Sequence, residues 1–171
     1  QIVDKAGYSF IKENFNLTKR AFYNYLSRDS FPLPLFLALS SEYGFNRIPK
    51  KSYLAAKRNH VNLPYKISLN EEILNIIGLY AAEGYARKKT GKKGLYQVDF
   101  SASEESIRKR IKQTMKKNFG LAPSYTDKGH IVFSSRLLYE LFVDILKCGR
   151  NAYEKRIPEL IMNLPLNKLK F

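Results

Sequence analysis

The stretch NIIGLYAAEGYARKK, Asn75–Lys89, decides how the chain is read. Its apolar residues recur at helical spacing, yet Gly and Ala stand where leucines would pack better. A glycine inside a helix costs about 1 kcal/mol relative to alanine, so Gly78 needs a compensating contact. Gly78, Ala81 and Ala82 share one side of the helix, and small residues three or four apart let a second helix backbone approach closely. The helix then ends on Glu83, with Gly84 as its stop. A carboxylate there opposes the helix macrodipole. Two such ends side by side would repel unless a divalent cation neutralised them. Mg²⁺ (or Mn²⁺) is hard, oxygen-loving and suited to one or two carboxylates plus phosphate oxygens. Beyond the stop, Tyr85, Arg87 and Lys89 fall on one face of a following strand, where they would meet the nucleic acid whose phosphate the metal engages. The same residues also fit an ordinary tight core contact and a solvated terminal glutamate, so both readings stay open at this level.

Composition narrows the choice of partner. The chain has 171 residues, enough for one ordinary domain or two small ones. With 44% hydrophobic residues it can bury a core. Its net charge is +15, from 30 Lys/Arg against 15 Asp/Glu. Such an excess predicts a polyanion partner, nucleic acid first and a membrane surface second. No apolar run approaches the roughly 20 residues of a spanning helix, and Gln1 does not open a signal peptide, so a cytoplasmic, DNA-associated protein is expected. The single cysteine, Cys148, and the two histidines, His60 and His130, exclude a disulfide framework and a Cys/His zinc site. Any chemistry must come from carboxylates, lysines and hard metal ions.

Residues 1–66 read as a helical, helix-turn-helix-like segment followed by a basic linker. SFIKENFN (Ser9–Asn16) and TKRAFYNYLS (Thr18–Ser27) are two helices joined through a short turn, the second capped by Thr18. Ala21, Phe22, Tyr25 and Leu26 form its apolar side, leaving Lys19, Arg20, Tyr23 and Asn24 outside. Lys19, Arg20 and Asn24 are therefore candidate DNA contacts, although a merely solvated basic face fits equally. A third helix follows, with Pro34 in its first turn and Gly44 at its end. RIPKKSYLAAKRNHVNLPYK is a cationic connector with one short helix at most.

Residues 67–171 read as an α+β unit. SLNE has capping-box spacing, with Ser68 as the cap of the helix running to Glu83. GLYQVDFSAS alternates, with Tyr96, Val98 and Phe100 on a buried face and Gln97, Asp99 and Ser101 on a polar one. Gly84–Lys89 is its hairpin partner, turning through Thr90–Gly94. A basic helix capped by Ser103 and ended by Gly120 comes next, then a hairpin turning at Asp127–Gly129. A helix closed by Gly149 and a short one starting at Pro158 complete the order. One antiparallel sheet with helices on one face is the simplest packing.

IIGLYAAEG (Ile76–Gly84) resembles the LAGLIDADG, or dodecapeptide, motif of homing endonucleases. Gly78, Leu79, Ala82 and Gly84 match, Glu83 stands at the metal-binding acid, and Ala81 departs from the first Asp of the name. The longer ISLNEEILNIIGLYAAEGYA resembles intein-associated and archaeal members, and the strand, basic helix, hairpin and EKRIPELIMNLP follow in the family's order from about Ile67 to Phe171. NLTKRAFYNYLSRDSFPL resembles in part the recognition helix of phage-repressor-type helix-turn-helix domains. The first resemblance implies αββαββα units whose motif helices pack together and whose sheets lie in the DNA major groove. It implies catalytic Glu83, metal held at Glu83 and Gly84, and Lys155, in KRIP, near the scissile phosphate. By the same match Arg87, Lys89, Gln97, Asp99 and Ser101 would read or clamp double-stranded DNA.

Only one such motif is present. The family pairs two motifs, in one chain or in a homodimer, so a second unit is an expected partner and Glu83 alone does not complete the site. The expected function is a metal-dependent, site-specific double-strand DNA endonuclease, or half of one. Two alternatives remain: a DNA-binding regulator that has lost cleavage, and an RNA-binding splicing factor. Protein splicing by this chain itself is disfavoured, since no Cys or Ser opens it and no His-Asn closes it.

Overall fold

The computed structural model describes residues 2–44, 48, 51–56, 61–89 and 94–166. The chain divides into two compact units, Gln1–Pro49 and Lys50–Phe171.

The first unit holds three helices: α1 (Ile2–Phe15), α2 (Lys19–Ser27) and α3 (Leu33–Glu42). Helix α1 starts seven positions before the predicted Ser9. Asn16 takes a left-handed φ of 47° to turn the chain, a conformation that Asn tolerates better than most residues. Thr18 caps α2 as predicted, its hydroxyl accepting from the Ala21 N–H at 3.2 Å. Ile11, Phe22, Leu35 and Leu39 form a small core, one residue or more from each helix, with Tyr25 and Leu26 packed against it.

The second unit begins earlier than predicted. The expected connector is a hairpin, β1 (Tyr53–Ala55) with β2 (Asn62–Pro64), Leu54 opposite Leu63. Leu63 is buried in the core of the larger unit, so the division falls at Pro49/Lys50 rather than at 66/67. A high local charge density masked one apolar anchor.

Helix α4 spans Glu71–Glu83. Its cap is Asn70 rather than Ser68: the Asn70 side-chain oxygen accepts from the Ile73 N–H at 3.0 Å. Asn caps as well as Ser, and Asn70 itself donates back to the Ser68 carbonyl in a tight turn. Strands β3 (Gly84–Lys89) and β4 (Leu95–Phe100) follow; the predicted turn between them lies, but for Gly94, outside the described residues. Helix α5 (Glu105–Phe119) starts after Glu104, without a side-chain cap from Ser103, and ends on left-handed Gly120. Then come β5 (Ser124–Tyr125), β6 (Ile131–Ser134), α6 (Arg136–Glu140) and α7 (Glu159–Met162). Helix α6 does not run to Gly149. It passes into a π-helical turn, Leu141–Ile145, and Lys147 takes a φ of 56°, which sends the chain into a loop.

The fold class is α+β. Four strands form one antiparallel sheet in the order β3-β4-β6-β5. Paired residues point to the same face. Ala86, Val98, Phe100, Ile131 and Phe133 therefore line one face, and they share a core with Ile76, Ile77 and Tyr80 of α4, Ile111 and Met115 of α5 and Leu138 of α6. Tyr80 sits at the centre, fully buried between Phe142 and Phe100. The other face of the sheet carries Tyr85, Arg87, Lys89, Gln97, Asp99 and Ser134.

Candidate functional site

Helix α4 buries Ile73, Ile76, Ile77 and Tyr80, which lie on one side at helical spacing. The opposite side carries Gly78 and Ala82, both exposed, with Ala81 half-buried beside them. A Cβ at Gly78 would meet nothing within 4 Å. The small-residue side is thus not consumed by the unit's own core; it is open at Gly78 and Ala82.

Glu83 closes α4 and is exposed. Ser101, just after β4, holds it from two directions. The Ser101 N–H and hydroxyl each donate to the Glu83 carbonyl at 3.0 Å, and the hydroxyl also lies 3.2 Å from Glu83 Oε2. Ser101, an expected DNA contact, is exposed and in addition tethers the glutamate. Gly84 is buried, and a Cβ there would strike a Tyr80 ring carbon and fall 2.6 Å from the Tyr80 carbonyl oxygen. The role visible for Gly84 is steric: it lets the helix turn straight into β3 over the Tyr80 ring.

Lys155 arrives from the far end of the unit. Its Nζ donates to the Ala82 carbonyl at 2.7 Å, one residue before Glu83. An ammonium on the last carbonyls of a helix is stabilised by the macrodipole that disfavours Glu83. The loop 146–158 makes this possible. The Tyr80 hydroxyl donates to the Gly149 carbonyl at 2.7 Å, and the Ala86 N–H donates to the Arg150 carbonyl at 2.8 Å, so the loop rides along β3. Arg150 holds Glu154 through Nε at 3.0 Å and Nη2 at 2.9 Å, and Asn151 adds a third side-chain bond. These contacts, the Arg150 hydrogen bonds first, pull the Glu154 carboxyl down to about 2. Gly149, at φ +83°, packs where a Cβ would strike the Glu154 carbonyl. Burial pushes the Tyr80 hydroxyl well above its usual range and the Cys148 thiol up to about 12, so neither supplies a proton or a nucleophile near neutral pH.

The outer sheet face confirms part of the alternation and overturns one assignment. Arg87 and Lys89 are exposed, and Gln97 is half-buried, donating to the Ser134 hydroxyl at 3.3 Å. Asp99 is fully buried. It forms an ion pair with Arg87, Nη2 to Oδ2, at 2.8 Å, and cannot touch DNA in this state. Period-two alternation placed it on the correct face but carried no information on which neighbouring side chains, here Arg87 and Tyr85, lay against it. Burial first, and then the Asp99 charge, raise the Tyr85 hydroxyl above its ordinary range. Ser134 is a member of this face that sequence reasoning missed; its place two residues from Val132 in the β6 hairpin was the available signal. In the first unit Lys19, Arg20 and Asn24 are exposed on α2, beside Tyr23.

Among the described residues no group of three or more His, Cys, Asp or Glu side chains could hold a metal ion. No described helix is long and apolar enough to cross a membrane.

No family model matches the chain. It is 37% identical over 145 residues to the DNA polymerase II large subunit of Thermococcus kodakarensis, a match covering 83% of this chain and 8% of that protein. An uncharacterized protein of Methanocaldococcus jannaschii is 32% identical over 67% of this chain and 13% of its own length. A DNA polymerase of Thermococcus sp. is 30% identical over 58% of this chain and 6% of its own length. The chain thus spans a small fraction of each relative.

Proposed function

We propose that this chain is one LAGLIDADG-type catalytic unit of a site-specific double-strand DNA endonuclease, of the intein-associated kind. The observation that carries the reading is the convergence of Lys155 and Glu83 at the exposed end of a helix whose Gly78–Ala82 side is bare. The relatives support an inserted element. A stretch occupying 8% of one polymerase subunit and 6% of another polymerase is better read as a separately folded passenger than as polymerase machinery.

In this reading a second unit packs its own helix against Gly78, Ala81 and Ala82, bringing two Glu83-type carboxylates together. Those carboxylates would hold Mg²⁺ or Mn²⁺, which supplies charge stabilisation at the scissile phosphate when bound. Gly84 makes the turn that places Glu83, and its backbone would stand beside the ion. Ser101 fixes the glutamate's aim, and Lys155, already ordered on the Ala82 carbonyl, offers a donor to a phosphate oxygen or an attacking water. Arg87, Lys89 and Gln97 face the duplex from the sheet, and Lys19, Arg20 and Asn24 add contacts from α2.

The test is cleavage of a pool of duplexes with randomised sites in Mg²⁺, with sequencing of the cut ends. Wild-type protein gives defined ends; Glu83→Gln binds the same duplexes and gives none. Unchanged cutting by the variant would refute the role of Glu83. A second reading, a regulator that binds without cutting, follows if Glu83 never meets a second carboxylate, since among the described residues no group of three or more His, Cys, Asp or Glu could hold a metal ion. Sequence-selective binding with no Mg²⁺-dependent ends at any protein concentration would decide for it.

A further inference from the structure

We infer that Arg87 reads a guanine edge of the bound duplex and that Asp99, which touches no nucleic acid, is the positioning residue that orients it. The inference rests on the duplex-binding reading of the sheet. Three observations carry it. Asp99 is fully buried, with the Tyr85 hydroxyl close enough that burial first, and then the carboxylate's charge and hydrogen bonding, raise that hydroxyl above its ordinary range. A buried carboxylate paired with one cation is a weak source of stability, so its presence calls for a use other than stability. Its Oδ2 holds Arg87 Nη2 at 2.8 Å, while the Tyr85 ring lies under the guanidinium at 5.3 Å. The guanidinium is thus fixed by an acid on one edge and an aromatic face beneath. Its remaining N–H groups have no partner among the described residues, and the side chain is 43% exposed.

Such an arginine is poorly suited to attracting phosphate. Its charge is neutralised by the acid beneath it, and phosphate contacts need charge more than orientation, as Lys89 two residues on, exposed and with no ion pair among the described residues, can supply. Directional donors held in one plane are what a base edge requires. Arginine bonded to guanine O6 and N7 is the pairing that geometry favours in the major groove. Fixing the side chain before binding also removes the ordering cost that a free arginine would meet at the interface.

The test uses the full chain in EDTA, so that nothing is cut. Duplexes are selected from a randomised pool by wild type, Arg87→Lys, Asp99→Asn and Lys89→Ala, and the salt dependence of binding is then measured on the best duplex. Wild type should show at least one position where replacing guanine by adenine weakens binding about tenfold or more. Arg87→Lys and Asp99→Asn should flatten that preference to about twofold. Asp99→Asn should also steepen the salt dependence, by about one unit of slope, because Arg87 then acts as a free cation. Lys89→Ala should flatten the salt slope and keep the guanine preference. The inference is overturned if Asp99→Asn keeps the wild-type preference, or if Arg87→Lys weakens all duplexes equally. If wild type enriches no duplex at all, the duplex-binding reading itself fails, and this inference with it. Arg87 is exposed, so its variant tests the same point should Asp99→Asn melt early.

Discussion

Lys155 Nζ donates to the Ala82 carbonyl at 2.7 Å although 73 positions separate the two residues. The contact sets an ammonium on the carbonyl one residue before Glu83, and it depends on the loop 146–158 folding back over β3. A cation at the C-terminal end of a helix contributes about 0.3–1 kcal/mol. Lys155→Met should therefore lower stability by less than about 1 kcal/mol, while reducing Mg²⁺-dependent cleavage at least about a hundredfold. Thermal unfolding and single-turnover cleavage read the two effects separately; a parallel small loss in both would make Lys155 only a helix clamp.

Gly78 lies exposed in the middle of α4, with open space where a Cβ would stand. Gly78→Ala should stabilise the isolated chain by about 0.5–1 kcal/mol, because alanine restricts the unfolded backbone and favours the helix. Gly78→Leu should fold as well as wild type yet show reduced self-association in sedimentation and reduced cleavage, since its side chain would stand in the path of a second helix. A leucine variant with full cleavage would remove the close-packing role of this face.

Gly84 behaves in the opposite way. A Cβ there would fall within 2.7 Å of Tyr80 backbone atoms, which cannot yield as a flexible side chain can. Gly84→Ala should destabilise the second unit by about 3 kcal/mol, at the upper end of overpacking costs. Urea unfolding followed by tyrosine fluorescence would register the change, and a loss below about 0.5 kcal/mol would contradict the geometry.

Acid should loosen the Lys155 loop. The Glu154 carboxyl is drawn down to about 2, chiefly by its Arg150 hydrogen bonds. A folded-state value below the ordinary carboxylate range means stability that is present above that range and is lost as pH falls toward the folded value. The melting-temperature difference between wild type and Glu154→Gln should therefore be constant above about pH 5 and shrink between about pH 4.5 and 2. A difference independent of pH over that window would show that Glu154 is not ion-paired in solution.

The basic side of α2 makes a prediction of its own. Lys19, Arg20 and Asn24 are exposed on the helix that follows the Asn16 turn. If they meet phosphates, Lys19→Ala combined with Arg20→Ala should reduce the slope of log affinity against log salt by about 1.8, near 0.9 for each cation removed. An unchanged slope would mark this face as merely solvated.

Local order accounts for what could be read without coordinates. Helical spacing located α2 and α4, alternation assigned Val98 and Phe100 inward, and Gly120 ended α5, because each depends on residues within a few positions of one another. The bare Gly78–Ala82 side was foreseeable for the same reason. Ser68, Ser103 and the 66/67 division were misplaced, because neighbouring caps compete nearly evenly and a single apolar residue, Leu63, outweighs a cationic stretch once it finds a core.

Tertiary structure alone decided the rest. The burial of Asp99 under Arg87, the grip of Ser101 on Glu83 and the approach of Lys155 to Ala82 join residues 12, 18 and 73 positions apart. Side-chain type along the chain states what a residue can donate or accept, and local spacing states which face it takes. Which donor meets which acceptor depends on how strands and loops close over one another, a choice made by the packing of the whole core around Tyr80 rather than by any short stretch of sequence.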